Sequence, residues 1–259
     1  MKSFNSDVRR GLSWIAGGWR LMRGDWMLWI MMTFIYMVIA VGLKMIPFIG
    51  VLILILISPI VLAGVLIGAQ NLEAGMRGEA SGTARGARGH LHRAIRQLFS
   101  GFLQEDQLLP IMVISTLTLS GAVIIEILAQ LLKVGGPALP AMLAGSVGPA
   151  IWLPALVSLV IVLVLQIALV MAVFYAVPLV LFRKEYPLSA IEKSFRTCVQ
   201  NALPLLVFGL PFAVVSTVAD VLYFALDFPK DYLVLFVLGM FALPFFVSGL
   251  YRSYEDAFG

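Results

Sequence analysis

Three stretches of eighteen residues without a formal charge, each opened by a polar residue and closed by an ionisable one, constrain this chain more than any other feature. They run between Asp25 and Lys44, between Gln107 and Glu126, and between Asn201 and Asp220. About 20 apolar residues at 1.5 Å each cross the roughly 30 Å hydrocarbon layer of a bilayer. Each stretch therefore reads as a membrane-spanning helix. Composition agrees: 12% of the residues are charged, against about 25% in a soluble domain, so lipid is the expected solvent. Six apolar runs reach spanning length: Trp26 to Leu43, Met45 to Ala69, Leu108 to Leu132, a run within Ile151 to Phe182, Ala202 to Ala225, and Leu233 to Tyr251. The fourth is long enough that a break is expected in it, and Trp152 and Pro154 suggest an interfacial or re-entrant turn at its start. The polar, amphipathic residues before Trp26 lack a short apolar core with a cleavage site and read as a retained segment, not a signal peptide.

Orientation follows from the basic residues, because those in short loops mark the cytoplasmic side. Lys44, Lys133 and Lys230 fall on one side, and the other fifteen of the eighteen Lys and Arg residues on the opposite side. Six spans with both termini cytoplasmic are expected. Trp14, Trp19, Trp26 and Trp29 fit an aromatic belt at that inner interface, with Trp152 as its outer counterpart.

The segment before each odd-numbered span has an apolar stripe at helical spacing beside basic charge. Val8, Leu12, Ile15, Trp19 and Met22 form the first, Leu91, Ile95, Leu98, Phe99 and Phe102 the second, and Leu188, Ile191, Phe195 and Val199 the third. This is the pattern of a helix lying among lipid headgroups, and Arg9, Arg10, Arg93, Arg96, Lys193 and Arg196 are the candidate headgroup contacts. The expected fold is all-α: a single membrane domain over 1–259, with six transmembrane helices in three parallel repeats. Each repeat is an interfacial amphipathic helix plus a helical hairpin, over about 1–72, 88–183 and 186–254, with a flexible inner loop near 73–90. Pro59, Pro178 and Pro244 recur toward the inner end of each hairpin's second span, where a freed carbonyl permits a kink.

Lys44, Glu126 and Asp220 stand at matching positions, nineteen residues of helix or about 28 Å from the boundary residues. Two readings stay open: each marks the outer end of its span, or the three form an outer ion cluster with Lys44 pairing the carboxylates. Gly64 and Gly68 form a GxxxG pair suited to close helix packing. His90 and His92 read as residues of a solvated loop, since a metal site needs three or four ligands, and Cys198 reads as a small apolar residue. No metal, cofactor or catalytic constellation is expected.

The stretch FYAVPLVLFRKEYPLSAIEKSFRTCVQNALPLLVFGL, from Phe174 to Leu210, resembles the core of uncharacterised bacterial six-helix inner-membrane proteins related to the membrane domain of glycerophosphodiester phosphodiesterases. Pro178, Pro187, Ala190, Ile191, Ser194, Phe195 and Asn201 carry the likeness. It implies a bacterial inner-membrane location. The metal-binding carboxylates and histidines of the soluble phosphodiesterase domain have no counterpart here, so that activity does not carry over. The expected function is non-enzymatic: engagement of membrane lipid or a hydrophobic partner, as an accessory or scaffold subunit in a larger membrane assembly. The alternative is a transporter or channel for a small solute or amphiphile. Nucleic acid is not an expected partner.

Overall fold

The computed structural model describes residues 4–47, 49–77, 87–132, 149–225 and 232–259; side chains at 87–88, 105, 149–152, 218–225 and 232–238 are outside that description. Lys133, Lys230 and the side chains of Trp152 and Asp220 thus lie outside that description. Every described element is helical: α1 (Phe4–Gly24), α2 (Trp26–Lys44), α3 (Ile49–Met76), α4 (Ala87–Leu98), a 3₁₀ turn (Ser100–Leu103), α5 (Glu105–Leu131), α6 (Pro149–Phe174), α7 (Ala176–Arg183), α8 (Pro187–Gln200), α9 (Ala202–Ala225) and α10 (Tyr232–Phe258).

Four described stretches are long and apolar enough to cross a membrane: α2, α3, α5 from Asp106 onward, and Leu153–Arg183 across α6 and α7. A fifth is added if α8 and α9 to Thr217, which meet at 88°, form one broken span. The loop expected over 73–90 is narrower than that: α3 continues to Met76 and α4 begins at Ala87. His90 is correspondingly half-buried on a helix.

The packing follows a cyclic order. Helix α1 packs on α9 and α10, α4 packs on α2 and α3, and α8 packs on α6 and α7. Each of these three helices thus packs on helices other than those that directly follow it, with few contacts to the latter. The faces that pack are rich in small residues: Gly11 and Gly18 on α1, Ala94 on α4, and Ala190, Ser194 and Cys198 on α8. A Cβ on Gly11 would stand 2.6 Å from the Pro204 carbonyl oxygen, and one on Gly18 would stand 2.7 Å from the Gly249 nitrogen. The first approach needs glycine, and the second is a glycine-to-glycine crossing. Gly64 of α3 meets the end of α4, where a Cβ would overlap the Leu98 carbonyl oxygen, and Gly68 faces the Gln97 amide.

The break in the long fourth run falls elsewhere than expected. Helix α6 runs unbroken through Trp152 and Pro154 and stops at Phe174. Pro154 lies near the helix start, where a missing N–H removes a bond only to the first turn. Pro178 acts further along, because its ring conflicts with the carbonyl four residues back, at Phe174. The Ser194 hydroxyl of α8 enters the opened ladder: it donates to the Met171 carbonyl at 2.7 Å and accepts from the Tyr175 N–H at 2.9 Å. Ser194 is fully buried. Ser194→Ala is expected to cost about 1–3 kcal/mol, the penalty for orphaning buried backbone groups, and thermal unfolding in detergent micelles measures it.

The described core sits where α2, α3, α7 and α10 meet, with Trp29, Met32, Leu66, Tyr175, Leu179 and Leu250 nearly inaccessible. Aromatic contacts tie α7 to α10 through Phe182 with Tyr251 and Tyr254. The outward faces of α5 and α6 instead expose Leu109, Ile124, Ile127, Leu163 and Val164, as a lipid-facing wall would.

Candidate functional site

Two of the polar boundary residues are joints between helices distant in sequence. Asp25 caps α2 by accepting from the Leu28 N–H at 3.2 Å, and its carboxylate pairs with Arg93 of α4 at 3.3 Å, while His90 Nδ1 lies 3.4 Å from that carboxylate and 3.2 Å from the Arg93 guanidinium. At Asn201, which is buried, the amide oxygen accepts from Arg10 of α1 at 2.6 Å. Arg10 also pairs with Asp256, whose carboxylate accepts from the Trp14 indole at 2.9 Å. The third boundary residue, Gln107, is buried.

These joints redraw the set of headgroup contacts. Arg10 and Arg93, which the sequence suggested as headgroup contacts, are partly buried and paired with protein groups. Arg9 and Arg96 are exposed. Lys193 and Arg196 are exposed but held locally, Lys193 by Glu185 at 2.5 Å and Arg196 by Glu192 at 2.6 Å. The Lys193 ammonium beside Glu185 holds that carboxyl below the usual carboxylate range. Each amphipathic helix still exposes large apolar side chains on its outer side: Leu12 and Trp19 on α1, Leu91 and Ile95 on α4, and Leu188, Phe195 and Val199 on α8. Arg20 and Arg23 are exposed beside Trp19.

At the opposite end, Lys44 is exposed in the last turn of α2. Glu126 is exposed on α5, and its Oε1 accepts from the Gln130 amide at 2.7 Å. No ion pair joins Lys44 to Glu126 among the described residues. Among those residues no three His, Cys, Asp or Glu side chains group to hold a metal ion.

A charged cluster that sequence reading passed over lies where α3 and α10 end. The Glu73 side chain, 7% exposed, accepts from Arg252 at 2.5 Å and from Arg77 at 2.7 Å. Arg252 also reaches Glu255 at 2.7 Å. The available signal was spacing: Glu73 with Arg77 and Arg252 with Glu255 are helical ion pairs at the ends of two corresponding spans. Burial and the neighbouring Glu73 carboxylate hold the Glu255 carboxyl above the usual carboxylate range, against the pull of Arg252. A raised pKa in the folded state means that the folded protein binds the proton more tightly. This contribution to stability is complete below the unfolded value of about 4.3 and is lost as pH rises through the raised one. Glu255→Gln, which stays neutral, is therefore expected to gain melting temperature relative to the parent as pH rises through that window, and to level off above it.

Between the helices lies a cavity of about 240 Å³. Pro59 of α3, Pro244 of α10 and Val177 of α7 contribute to its wall, together with Trp29 and Tyr36 of α2. Two of the three recurrent prolines thus border it, and the third, Pro178, lies one residue past Val177. The polar side chains in the wall are few: Thr33 donates to the Trp29 carbonyl at 2.9 Å, Ser58 donates to the Leu54 carbonyl at 2.6 Å, and Tyr36 pairs with Ser58 at 3.0 Å. No family model, curated protein or solved structure matches the chain.

Proposed function

We propose that this chain is a non-enzymatic membrane protein that engages lipid through a collar of three amphipathic helices, serving as an accessory or scaffold in the bacterial inner membrane. The carrying observation is that each of these helices has two faces. The inner face is small and packs on a neighbouring hairpin, whereas the outer face presents exposed large apolar residues with Arg9, Arg20, Arg23, Arg96 or Arg196 close by. Such a surface suits the boundary between acyl chains and anionic headgroups.

The same reading takes the protein as six spans in three parallel repeats, with both termini cytoplasmic and a kinship to the phosphodiesterase membrane-domain group. The cyclic packing of α1, α4 and α8 supports the repeats, because units related by rotation about the membrane normal repeat their contacts around the ring. The bend of 88° at Asn201 supports α8 lying along the surface while α9 crosses. Transport is the second reading, favoured by the cavity between the hairpins, and the apolar wall points it toward an amphiphile and away from a hydrated solute.

Reconstitution into nanodiscs of mixed phosphatidylglycerol and phosphatidylcholine, followed by native mass spectrometry of retained lipid, tests the collar. Phosphatidylglycerol is expected to be enriched over its bulk fraction, and combined Arg9, Arg20, Arg23 and Arg96→Ala substitutions are expected to remove the enrichment. Retention at the bulk ratio in the parent protein overturns the proposal.

A further inference from the structure

We infer that the cavity among α2, α3, α7 and α10 is a binding site for a single phospholipid acyl chain from the inner leaflet. This rests on the lipid-engaging reading above and names the site and the part of the lipid it takes.

Water is a poor occupant. A buried water needs two to four polar partners, and the hydroxyl donors of Thr33, Ser58 and Tyr36 are already used within the wall. Hydrocarbon fits. An apolar cavity of about 150 Å³ stays dry and takes up benzene, so this one accommodates a longer run of chain, and the surrounding bilayer supplies acyl chains at high concentration. Tyr36, Ser58 and Leu62 are half-buried wall residues, so the cavity is not sealed on that side.

Depth agrees with an inner-leaflet chain. Trp29 stands one helical turn beyond the boundary residue Asp25, about 6 Å, and Tyr36 lies about 10 Å further on. The cavity thus runs from the ester level of the inner leaflet toward the bilayer centre. At its shallow end the Trp29 indole N–H is buried without a partner among the described residues. An unpaired buried donor is costly, and a turn of the ring toward the cavity would let a lipid ester carbonyl pair with it.

The test uses the full-length protein in nanodiscs doped with a phosphatidylcholine bearing a photoactivatable diazirine in its acyl chain; the neutral headgroup leaves the arginine collar out of the measurement. After irradiation, proteolysis and mass spectrometry locate the label. Labelling around Trp29–Tyr36 and Ser58–Val65 is expected to exceed that of the lipid-facing Ile124–Ile127 segment. It should fall at least fivefold in Leu62→Trp, which fills the cavity, while the Ile124–Ile127 labelling stays unchanged. Val65→Phe provides a second filling variant should Leu62→Trp lose its parental melting behaviour. Trp29→Phe is expected to reduce cavity labelling about fivefold through loss of one hydrogen bond. Cavity labelling no higher than that of Ile124–Ile127, or unchanged in a folded filling variant, overturns the site. Cavity labelling without phosphatidylglycerol enrichment would keep the site and reject the collar; the opposite result would reject the site alone.

Discussion

Arg252→Met is expected to lower stability by about 3 kcal/mol. Glu73 is the most deeply buried carboxylate of its cluster and relies on two arginines, of which Arg252 is 22% exposed and Arg77 is 59% exposed. Removing one partner of a buried pair costs about 3–5 kcal/mol, because a charge is left without compensation. The remaining contact to solvent-exposed Arg77 places this case at the lower end. Adding Glu73→Gln to Arg252→Met removes the stranded charge, so the double variant is expected to recover more than about 1 kcal/mol relative to additivity. Chemical unfolding in mixed micelles supplies the four values of the cycle, and strict additivity would show that Glu73 and Arg252 are not coupled.

Gly64→Leu is the second large effect, and its origin is steric. A Cβ at Gly64 would overlap the Leu98 carbonyl oxygen and come within 2.6 Å of that of Gln97. These are backbone atoms at the end of α4 and cannot swing aside as a side chain can. Forced expansion of a packed contact costs about 1–3 kcal/mol or more, and leucine at a backbone crossing belongs at the upper end, near 3 kcal/mol. Gly42→Leu is the control: a Cβ there meets nothing within 4 Å, and its effect is expected to stay within about 1 kcal/mol. Comparable melting temperatures for the two variants would mean that the α3–α4 crossing contributes little.

The described spans were legible because charge-free runs of fixed length dictate where a helix can lie in hydrocarbon. Asp25, Gln107 and Asn201 were found in the sequence as boundaries for the same reason. Their partners were not, because a run of charge reveals that Arg10 and Arg93 are basic without revealing which distant helix they meet. Both were read as facing headgroups, whereas they reach across to Asn201, Asp256 and Asp25. The break in the fourth run was sought at Pro154 because that position is apolar and interfacial. Ser194, the residue that satisfies the actual break at Tyr175, lies nineteen positions beyond it. The cavity had no sequence signature beyond Pro59, Pro178 and Pro244, since its volume depends on how the proline-bearing spans come together.

The closed ring of contacts also sets an order of assembly. Helix α1 is made long before α9 and α10, yet it packs on both, and Arg10 finds Asp256 across 246 residues of chain. Helix α1 therefore cannot take its seat until α9 and α10 have followed it. Contacts so remote in sequence form late, and closure of this seam is the step that completes the ring. A ribosome stalled before α10 would leave α1 without its seat, a half-made protein in which α4 and α8 could already be docked.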